Sequence, residues 1–321
     1  MIKASEADFQ FNSSSPADWC ETNYFSFYIP SDGIFSALYL LSRPVLGVAM
    51  SDITVQDRIA FAWEDQLYVD NQQHLQCPQS LLDYNLSNGL SVKAVEPLKR
   101  YDISYKGIDD TEIAIEFEAL MDPFDMNDPD MDPLASDRIG KAWGGAALSG
   151  HYEITGRIRG EARLRGQNYK IDCIDTLDRS WGARKERDND SVIWLHGSFG
   201  EKLTIHAFFR YDPLSAEFGK LVSGYILENG NVYGLVNGRG SAKRLGILPL
   251  SNVVEITDIR GKSFQFTSSA VNASSYSPFP STPYPQSFMR CNYEGTIGWG
   301  VQMDVISRSF LTRNRNRLLR S

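Results

Sequence analysis

A repeated alternation of apolar and polar residues constrains the fold of this chain more than any other feature. In segment 111–119, Ile113, Ile115 and Phe117 share one face, and glutamates occupy positions between them. This period of two predicts half-buried β-strands. The same alternation on both sides of short turn-forming stretches predicts antiparallel hairpins within 101–119, 153–174, 221–236 and 253–267. The sequence therefore predicts an all-β protein with few helices, built as a barrel or a sandwich.

Two stretches interrupt this pattern. Acidic residues and prolines crowd segment 122–132, which raises a calcium hypothesis, although the sixth-position glycine and the terminal glutamate of a helix–loop–helix calcium site are missing. We expect a solvated loop there, with cation binding as the alternative. Segment 274–287 contains four prolines among serines and aromatic residues. It predicts an extended loop that crosses the surface or lies across the mouth of a cavity.

The composition excludes several classes of protein. The 321 residues are 42% hydrophobic and 22% charged, and the formal net charge of −8 argues against a nucleic-acid partner. The four cysteines lack CxxC spacing, so they predict neither a zinc ribbon nor a redox motif. The sequence contains no apolar run of signal-peptide or membrane-span length, and we therefore expect a cytoplasmic protein without a membrane span.

The charged segment Asp178–Arg184 is the strongest pointer to a functional site. It reads Asp-Arg-Ser-Trp-Gly-Ala-Arg and lies between two predicted strands, 169–174 and 192–196. Burying an acid and two guanidinium groups is costly unless the charges are paired. Two interpretations stay open at this point. Asp178 and Arg184 form a structural ion pair, or Asp178 is an acid–base carboxyl that Arg184 orients.

The same segment carries a resemblance to a known family. It is similar to the Asp-His-Ser-Trp-Gly-x-Arg signature of bacterial members of the AttH-like and carotenoid-hydratase-like superfamily, whose members are double lipocalin-like proteins. The resemblance extends from about Trp19 to Asp304. Weaker similarities are present at Glu21–Phe27, Gly33–Ile34, Arg43–Gly47, His151–Glu153, Gly156–Gly160 and Tyr293–Gly300.

The resemblance implies a specific architecture. It implies two consecutive lipocalin-like, calycin-type antiparallel barrels or half-barrels, which we place at residues 1–185 and 186–321. It also implies a cavity for an apolar ligand between them and no organic cofactor. Members of the superfamily include hydratases of isolated double bonds, cyclases and pericyclases. Arg179 stands where the family usually has a histidine, so an acid–base role of that histidine does not transfer to this chain.

A second group of candidate residues follows the charged segment. Trp194 and His196 lie on the same face of one predicted strand. His206 and Phe208 lie on the same face of the next predicted strand. If residues 200–202 form a three-residue loop, His196 lies directly opposite His206. Facing imidazoles predict a proton relay, because imidazole titrates near neutral pH. The alternative is two half-buried histidines that are hydrogen-bonded to the backbone.

These observations favour chemistry on an apolar molecule. Hydrating or dehydrating an unactivated carbon framework needs a strong acid, a positioned water and a wall that tolerates positive charge. We expect a cofactor-independent lyase or isomerase, of hydratase or dehydratase type, that acts on a hydrophobic olefinic, terpenoid or polycyclic small molecule. A pericyclase or cyclase that folds its substrate, and a non-catalytic carrier of an apolar metabolite, are the alternatives.

The candidate site residues divide into two groups. The expected catalytic residues are Asp178, Arg184, His196 and His206. The expected substrate-binding residues are Trp181, Trp194, Tyr152, His151, Phe208 and Trp299. Trp181 and Trp194 are expected to line one cavity at the domain junction. We expect no metal and no cofactor. The expected partner is the small molecule, and a homodimer is left open.

Overall fold

The computed structural model describes residues 1–138, 148–184, 191–279 and 281–318, and β-strands dominate it. Strands account for 62% of the residues and helices for 9%, which confirms the predicted all-β class. The chain divides into two compact units, and each is described by itself. The predicted boundary between residues 185 and 186 lies outside the described residues. The first unit contains Met1–Val55, Leu67–Asp125 and Gly144–Lys185, and the second contains Gln56–Gln66, Met126–Trp143 and Glu186–Ser321.

The first unit contains one antiparallel sheet that curls into a half-barrel. Its strands run in the order β4-β3-β2-β1-β11-β10-β8-β7-β6-β5, with β9 also paired to β10. The strands are β1 (Trp19–Ile29), β2 (Ile34–Arg43), β3 (Val48–Gln56), β4 (Tyr68–Gln76), β5 (Asp83–Asn85), β6 (Leu90–Glu96), β7 (Arg100–Lys106), β8 (Glu112–Ala119), β9 (Phe124–Asp125), β10 (Gly150–Leu164) and β11 (Gln167–Ala183).

Alternation along these strands places their apolar residues in the core. On β8, Ile113, Ile115 and Phe117 are buried while the residues between them are more exposed. The predicted hairpins β7–β8 and β10–β11 are both present. Arg165 and Gly166 connect β10 to β11 with φ values of 46° and 81°, as a primed two-residue turn requires. The two central strands β10 and β11 therefore face each other in a fixed register.

The second unit is a closed barrel in which β12 to β19 follow one another and β19 pairs with β12. Apolar side chains such as Ile193, Ile205 and Phe264 fill its interior. Each large aliphatic or aromatic side chain buried there contributes about 1.5–3 kcal/mol. The strands are β12 (Val192–Ser198), β13 (Leu203–Arg210), β14 (Leu221–Glu228), β15 (Asn231–Leu245), β16 (Leu248–Asp258), β17 (Ser263–Phe279), β18 (Thr282–Tyr293) and β19 (Thr296–Val305).

Helices are short and peripheral. Among the described residues, the α-helices are α1 (Ala135–Arg138) and α2 (Arg308–Leu318), and 3₁₀ turns occupy Ala4–Ala7, Pro30–Asp32, Pro44–Leu46 and Trp63–Asp65. Within the described ranges, no helix is both long and apolar enough to cross a membrane.

Two predictions about loops were wrong. Segment 274–287 belongs to the hairpin β17–β18, in which Ser275 pairs with Pro285 and Tyr276 with Tyr284. The rings of Tyr276 and Tyr284 stack with centroids 5.3 Å apart. This packing stabilises the hairpin although its prolines cannot donate hydrogen bonds to the neighbouring strand. The stretch after residue 174, which was predicted to lie between strands, belongs to β11, and this strand continues through the charged segment as far as Ala183.

Two carboxyl groups of the acidic stretch 122–132 form local turns, and that of Asp132 also accepts from Ser223 Oγ on β14. Asp128 Oδ1 accepts the backbone N–H of Asp130 at 3.0 Å, and Asp132 Oδ1 accepts that of Leu134 at 2.9 Å. Asp132 is fully buried. These contacts are typical of Asx turns, which asparagine and aspartate form in loops.

Candidate functional site

Adjacent strands β10 and β11 bring three titratable side chains together in the first unit. Glu153 and Asp178 are direct partners in the ladder, and His151 pairs with Ser180 one row away. Alternate residues of a strand point to the same face, so His151 and Glu153 share a face with Asp178. The same row continues onto β1, where Tyr24 is the partner of Asp178.

His151, Glu153 and Asp178 form a compact group, which we call the carboxyl–imidazole cluster. His151 Nε2 lies 3.2 Å from Oε1 of Glu153 and 3.8 Å from Oδ2 of Asp178. Thr176 Oγ1 donates to Oε2 of Glu153 at 2.8 Å, so both oxygens of Glu153 are engaged. The Glu153 and His151 side chains are 1% and 4% exposed, whereas Asp178 keeps 16%. Asp178 is therefore the member that reaches accessible space.

The surroundings of Asp178 favour its protonated form. Burial is the largest influence and raises the pKa of Asp178 to about 8. The charge of His151 acts in the opposite direction, Glu153 raises the pKa through both its charge and a hydrogen bond, and Arg184 lowers it. Two opposed carboxylates in a poorly solvated site repel each other, and a hydrogen held by one of them relieves that repulsion. The geometry thus stores an acidic hydrogen beside a second carboxyl group and an imidazole.

Two further buried groups, Asp175 and Tyr24, lie close to this cluster. Burial raises the pKa of Asp175 to about 7, and Ser26 Oγ donates to its Oδ2 at 2.8 Å. Burial also raises the pKa of Tyr24, and the charges of Asp175, Asp178 and Glu153 act in the same direction. Tyr24 therefore keeps its phenolic hydrogen in the row that contains Asp178.

Arg184 is anchored at the end of β11. Its guanidinium group donates to Ser180 Oγ, which shares a 2.7 Å hydrogen bond with Thr22 Oγ1. The backbone N–H of Arg184 donates to the carbonyl of Asp18 at 2.9 Å. Its charge lowers the pKa of Asp178, but it does so less than His151 does. Arg184 thus acts on Asp178 as a nearby positive charge, and its orienting role stays a prediction.

Tyr152 and Trp181 lie on the other face of the same strands. Tyr152 is the ladder partner of Arg179, and its ring meets that of Trp181 edge-on with centroids 6.3 Å apart. Gly150 leaves room for the indole, because a Cβ there would lie 1.9 Å from Trp181 Cζ2. Both aromatic side chains are buried. They pack behind the carboxyl–imidazole cluster, and the structure does not bring them into it.

Arg179 belongs to a buried structural network. Its Nη2 lies 2.6 Å from Oε2 of Glu21, and the two side chains are 1% and 0% exposed. The same nitrogen donates to the backbone carbonyl of Asp8 at 2.7 Å. Glu21 also accepts the backbone N–H groups of Gln10 and Phe11. This buried pair pins the N-terminal segment to the sheet.

The histidines of the second unit form an aromatic group. His196 and His206 are direct partners on β12 and β13, which confirms the predicted pairing, and their ring centroids are 5.8 Å apart. The centroids of Trp194 and Phe208 each lie 5.1 Å from that of His206, and Tyr225 stacks on His206 at 5.3 Å. All five side chains are buried. Four of the predicted residues therefore contact one another here.

The electrostatics of this group differ from those of a proton relay. Burial lowers the pKa of His196 to about 3, so its imidazole stays neutral across the physiological range. Trp299 lies on β19 and stacks on Phe288 with centroids 5.4 Å apart. Trp181 and Trp194 belong to different units, and their shared cavity stays a prediction.

The carboxyl–imidazole cluster also has the composition of a metal site. Within the described residues, it is the one group of histidine, cysteine or acidic side chains that brings three ligand atoms within 4.8 Å of one another. One imidazole nitrogen and two carboxylate oxygens suit a divalent cation such as Zn²⁺. Binding would displace the hydrogen of Asp178, since carboxylates bind metals in their ionised form.

A separate groove lies elsewhere in the first unit. It has a volume of about 510 Å³ and follows β5 to β8 and the middle of β10, with Lys93, Asp102, Glu116 and Arg159 in its lining. Arg159 is eight residues from His151 along β10, which is roughly 26 Å at the rise of a strand. The groove is therefore not part of the cluster.

Sequence analysis missed three residues of the first site. Glu153 stands two positions after His151 in a predicted strand, and this spacing alone places both on one face. That signal was sufficient to find it. Thr176 and Tyr24 join the site through the register of β10 and β1 against β11, which depends on tertiary pairing.

The fold is shared with a class of all-β proteins of known structure. The solved structure of kievitone hydratase from Nectria haematococca is similar over 92% of this chain and 92% of that chain, with a TM-score of 0.56 and 12% identity. A putative AttH from Nitrosomonas europaea is similar over 90% and 91%, with a TM-score of 0.56 and 9% identity. CghA is similar over 89% and 88%, with a TM-score of 0.51 and 10% identity. At such identities the likeness shows the fold, and it confirms the resemblance at that level.

The chain belongs to the family described as Domain of unknown function (DUF7064), whose model matches residues 7–302. No curated protein matches the sequence significantly.

Proposed function

We propose that this protein is a cofactor-independent lyase or isomerase, of hydratase or dehydratase type, that protonates a double bond in a hydrophobic small molecule. The observation that carries the proposal is the carboxyl–imidazole cluster, in which Asp178 retains an acidic hydrogen near neutral pH and part of its side chain is accessible. Protonating an unactivated double bond needs an acid that is still protonated at the working pH. A hydratase among the solved structures of this fold supports the same reaction class.

The reaction divides between the members of the cluster. Asp178 donates its hydrogen to one carbon of the double bond, whose π electrons form the new C–H bond and leave the other carbon electron-poor. In hydration, water adds to that second carbon and its hydrogen passes to Glu153, beside His151. In isomerisation, a neighbouring carbon loses a hydrogen to the same acceptors. Return of a hydrogen to Asp178 completes the cycle, and the positive charge of Arg184 stabilises the carboxylate form in between.

A non-catalytic carrier of an apolar metabolite is the second candidate. The buried aromatic group around His196 and His206 supports it, because aromatic side chains bind apolar molecules without supplying an acid. Trp194 and Phe208 would bind the ligand there, and Trp299 would extend the surface. A pericyclase or cyclase would use similar surfaces to fold its substrate without exchanging hydrogens with water.

Isotope uptake separates these candidates. The protein is incubated with the apolar extract of the organism that encodes it, in D₂O or H₂¹⁸O, after dialysis against a chelator. Hydratase activity predicts protein-dependent uptake of ¹⁸O and of carbon-bound deuterium, dehydratase activity predicts a product lighter by one water, and isomerase activity predicts deuterium alone. Conversion without isotope uptake and without a change of mass would favour the pericyclase, and binding without conversion would favour the carrier. Uptake that requires added Zn²⁺ would contradict a metal-free mechanism.

Two variants locate the chemistry. Asp178→Asn should reduce isotope uptake by about 10²–10⁴-fold while the protein stays folded. Asp172→Asn is the matched control, since Asp172 lies on the same strand but forms a surface ion pair with Arg157 at 2.7 Å. Near-normal uptake in folded Asp178→Asn would remove Asp178 from the mechanism.

A further inference from the structure

Two rows of side chains cross six strands of the second unit on the face opposite its barrel core. Direct ladder partners on one face have Cβ atoms about 4.5–5.5 Å apart, so each row is continuous. We call these rows the outer face, and each of its members is at most 8% exposed. The first row consists of Ser274, Gln286, Met303, Trp194, Phe208 and Ser223, and the second consists of Asn272, Phe288, Val301, His196, His206 and Tyr225.

The barrel core does not use these side chains. Ile193 and Leu195 alternate with Trp194 and His196 along β12, and they point into the apolar interior. The outer face therefore places aromatic rings and polar groups side by side on one buried sheet surface. Rigid, buried aromatic surfaces with a few polar groups are characteristic of sites for small molecules.

Gln286 is the anomalous member of this face. It is 0% exposed, and within the described part of the chain neither its Oε1 nor its Nε2 has a hydrogen-bond partner. Burying an unpaired amide disfavours folding, so an amide in this state points to a role outside the fold itself.

Gln302 is a second buried glutamine of this unit and serves as the comparison. Gln302 is also 0% exposed, but its Oε1 accepts from Asn252 Nδ2 at 2.8 Å and its Nε2 donates to Asp304 Oδ1 at 2.9 Å. Both ends of its amide are therefore paired. The contrast with Gln286 sets the two glutamines apart at equal burial.

We infer that Gln286 and the outer face form a binding subsite for a flat apolar molecule that carries a hydroxyl or carbonyl oxygen. Trp194, Phe208 and Phe288 supply the aromatic surface, and the amide supplies both a donor and an acceptor. An oxygen-bearing ligand satisfies the amide, whereas a hydrocarbon leaves it buried and unpaired. Such sites discriminate strongly against analogues that lack the polar group. This subsite is independent of the proton chemistry proposed for Asp178.

A matched pair of probes tests the inference by calorimetric titration. 2-Naphthol and 2-methylnaphthalene have the same ring system and differ by a hydroxyl against a methyl group. Native protein should bind 2-naphthol more tightly, and Gln286→Leu should reduce that preference about tenfold. Phe208→Leu should weaken both probes equally and leave their ratio unchanged. An unchanged ratio in Gln286→Leu, or no binding of either probe up to its solubility limit, would overturn the inference.

Thermal unfolding of the ligand-free protein gives an independent test. Gln286→Leu should leave the midpoint unchanged or raise it, because it removes an unpaired buried amide. Gln302→Leu should lower the midpoint, because it strands the partners of a paired amide. An equal loss in both variants would mean that Gln286 has a structural partner, and the subsite would be rejected. Neither measurement depends on turnover, so failure of this inference is distinct from failure of the proposed function.

Discussion

Glu153 and Asp178 face each other directly across β10 and β11, with His151 Nε2 3.2 Å from the first carboxyl group and 3.8 Å from the second. Like charges in direct opposition destabilise a ladder, and burial strengthens the repulsion. The arrangement is tolerated because Asp178 keeps its hydrogen, its pKa being raised to about 8. The same hydrogen is the one that the proposed chemistry transfers.

The stability of the protein should fall as the pH rises. A carboxyl group with a raised pKa holds a proton in the folded state that the unfolded chain releases. Its contribution is therefore complete below the unfolded value of 3.8 and is lost as the pH rises through about 8. Asp175 and Asp52 act in the same direction, since burial raises their pKa values to about 7 and about 6. Thermal scans between about pH 5 and pH 8 should show this decline.

Asp178→Asn should reduce the slope of the unfolding free energy against pH, because one proton fewer is released on unfolding. The reduction is at most about 1.4 kcal/mol per pH unit. Asp172→Asn should leave the slope in this range unchanged, because Arg157 lowers the pKa of the exposed Asp172. A pH profile of Asp178→Asn that ran parallel to that of the native protein would show that Asp178 titrates in its ordinary range.

Substitutions of the two neighbours should move the pKa of Asp178 in opposite directions. Glu153→Gln should lower it, because the charge of Glu153 raises the pKa of Asp178, and His151→Gln should raise it, because the charge of His151 lowers it. Infrared titration of the Asp178 carboxyl group in each variant measures both shifts. Shifts of the same sign in the two variants would mean that they act through the fold and not through their charges.

The network of Arg179 should matter for stability and not for proton chemistry. Arg179→Met leaves the buried Glu21 carboxylate without its partner and should cost about 3–5 kcal/mol of unfolding free energy. The double variant with Glu21→Gln should recover part of this loss. Denaturant titration measures both values. Arg179→His introduces the histidine of the signature that segment 178–184 resembles, and it should also destabilise the protein. A gain in isotope uptake from this variant would contradict the structural role of Arg179.

Gly150 should tolerate no side chain. A Cβ at this position would lie 1.9 Å from the Trp181 ring, so Gly150→Ala should cost about 1–3 kcal/mol and shift the tryptophan emission. Gly197→Ala is the control, since its Cβ would meet only Cys291 Sγ at 3.7 Å. Equal stability of the two variants would show that Trp181 moves without cost.

Local patterns in the sequence were sufficient to predict the β class and several hairpins. The alternation around Ile113 and Phe117, and the turn at Arg165 and Gly166, are signals that a strand carries by itself. The same kind of signal predicted that His196 faces His206. The hairpin at 274–287 was missed because prolines are typical of loops, and the pairing of Tyr276 with Tyr284 depends on tertiary structure.

The candidate site was predictable only in part. Asp178 was found from its segment, but Glu153 became its partner only through the register of β10 against β11. The pairing of Arg179 with Glu21 joins residues that are far apart in the sequence, and no local pattern announces it. The low pKa of His196 depends on burial within the folded barrel. The sequence pattern does not reveal this burial, and a proton relay was therefore expected from the ordinary pKa of imidazole.

Difference infrared spectroscopy of native protein against Asp178→Asn tests the central claim most directly. A protonated carboxyl group has a C=O stretching band that an ionised carboxylate lacks. The native protein should show such a band at neutral pH, Asp178→Asn should lack that component, and the band should titrate away near pH 8, in line with the raised pKa of Asp178. Identical carboxylic acid bands in the two proteins at neutral pH would mean that Asp178 is already ionised, and the acid proposed to protonate the substrate would not exist.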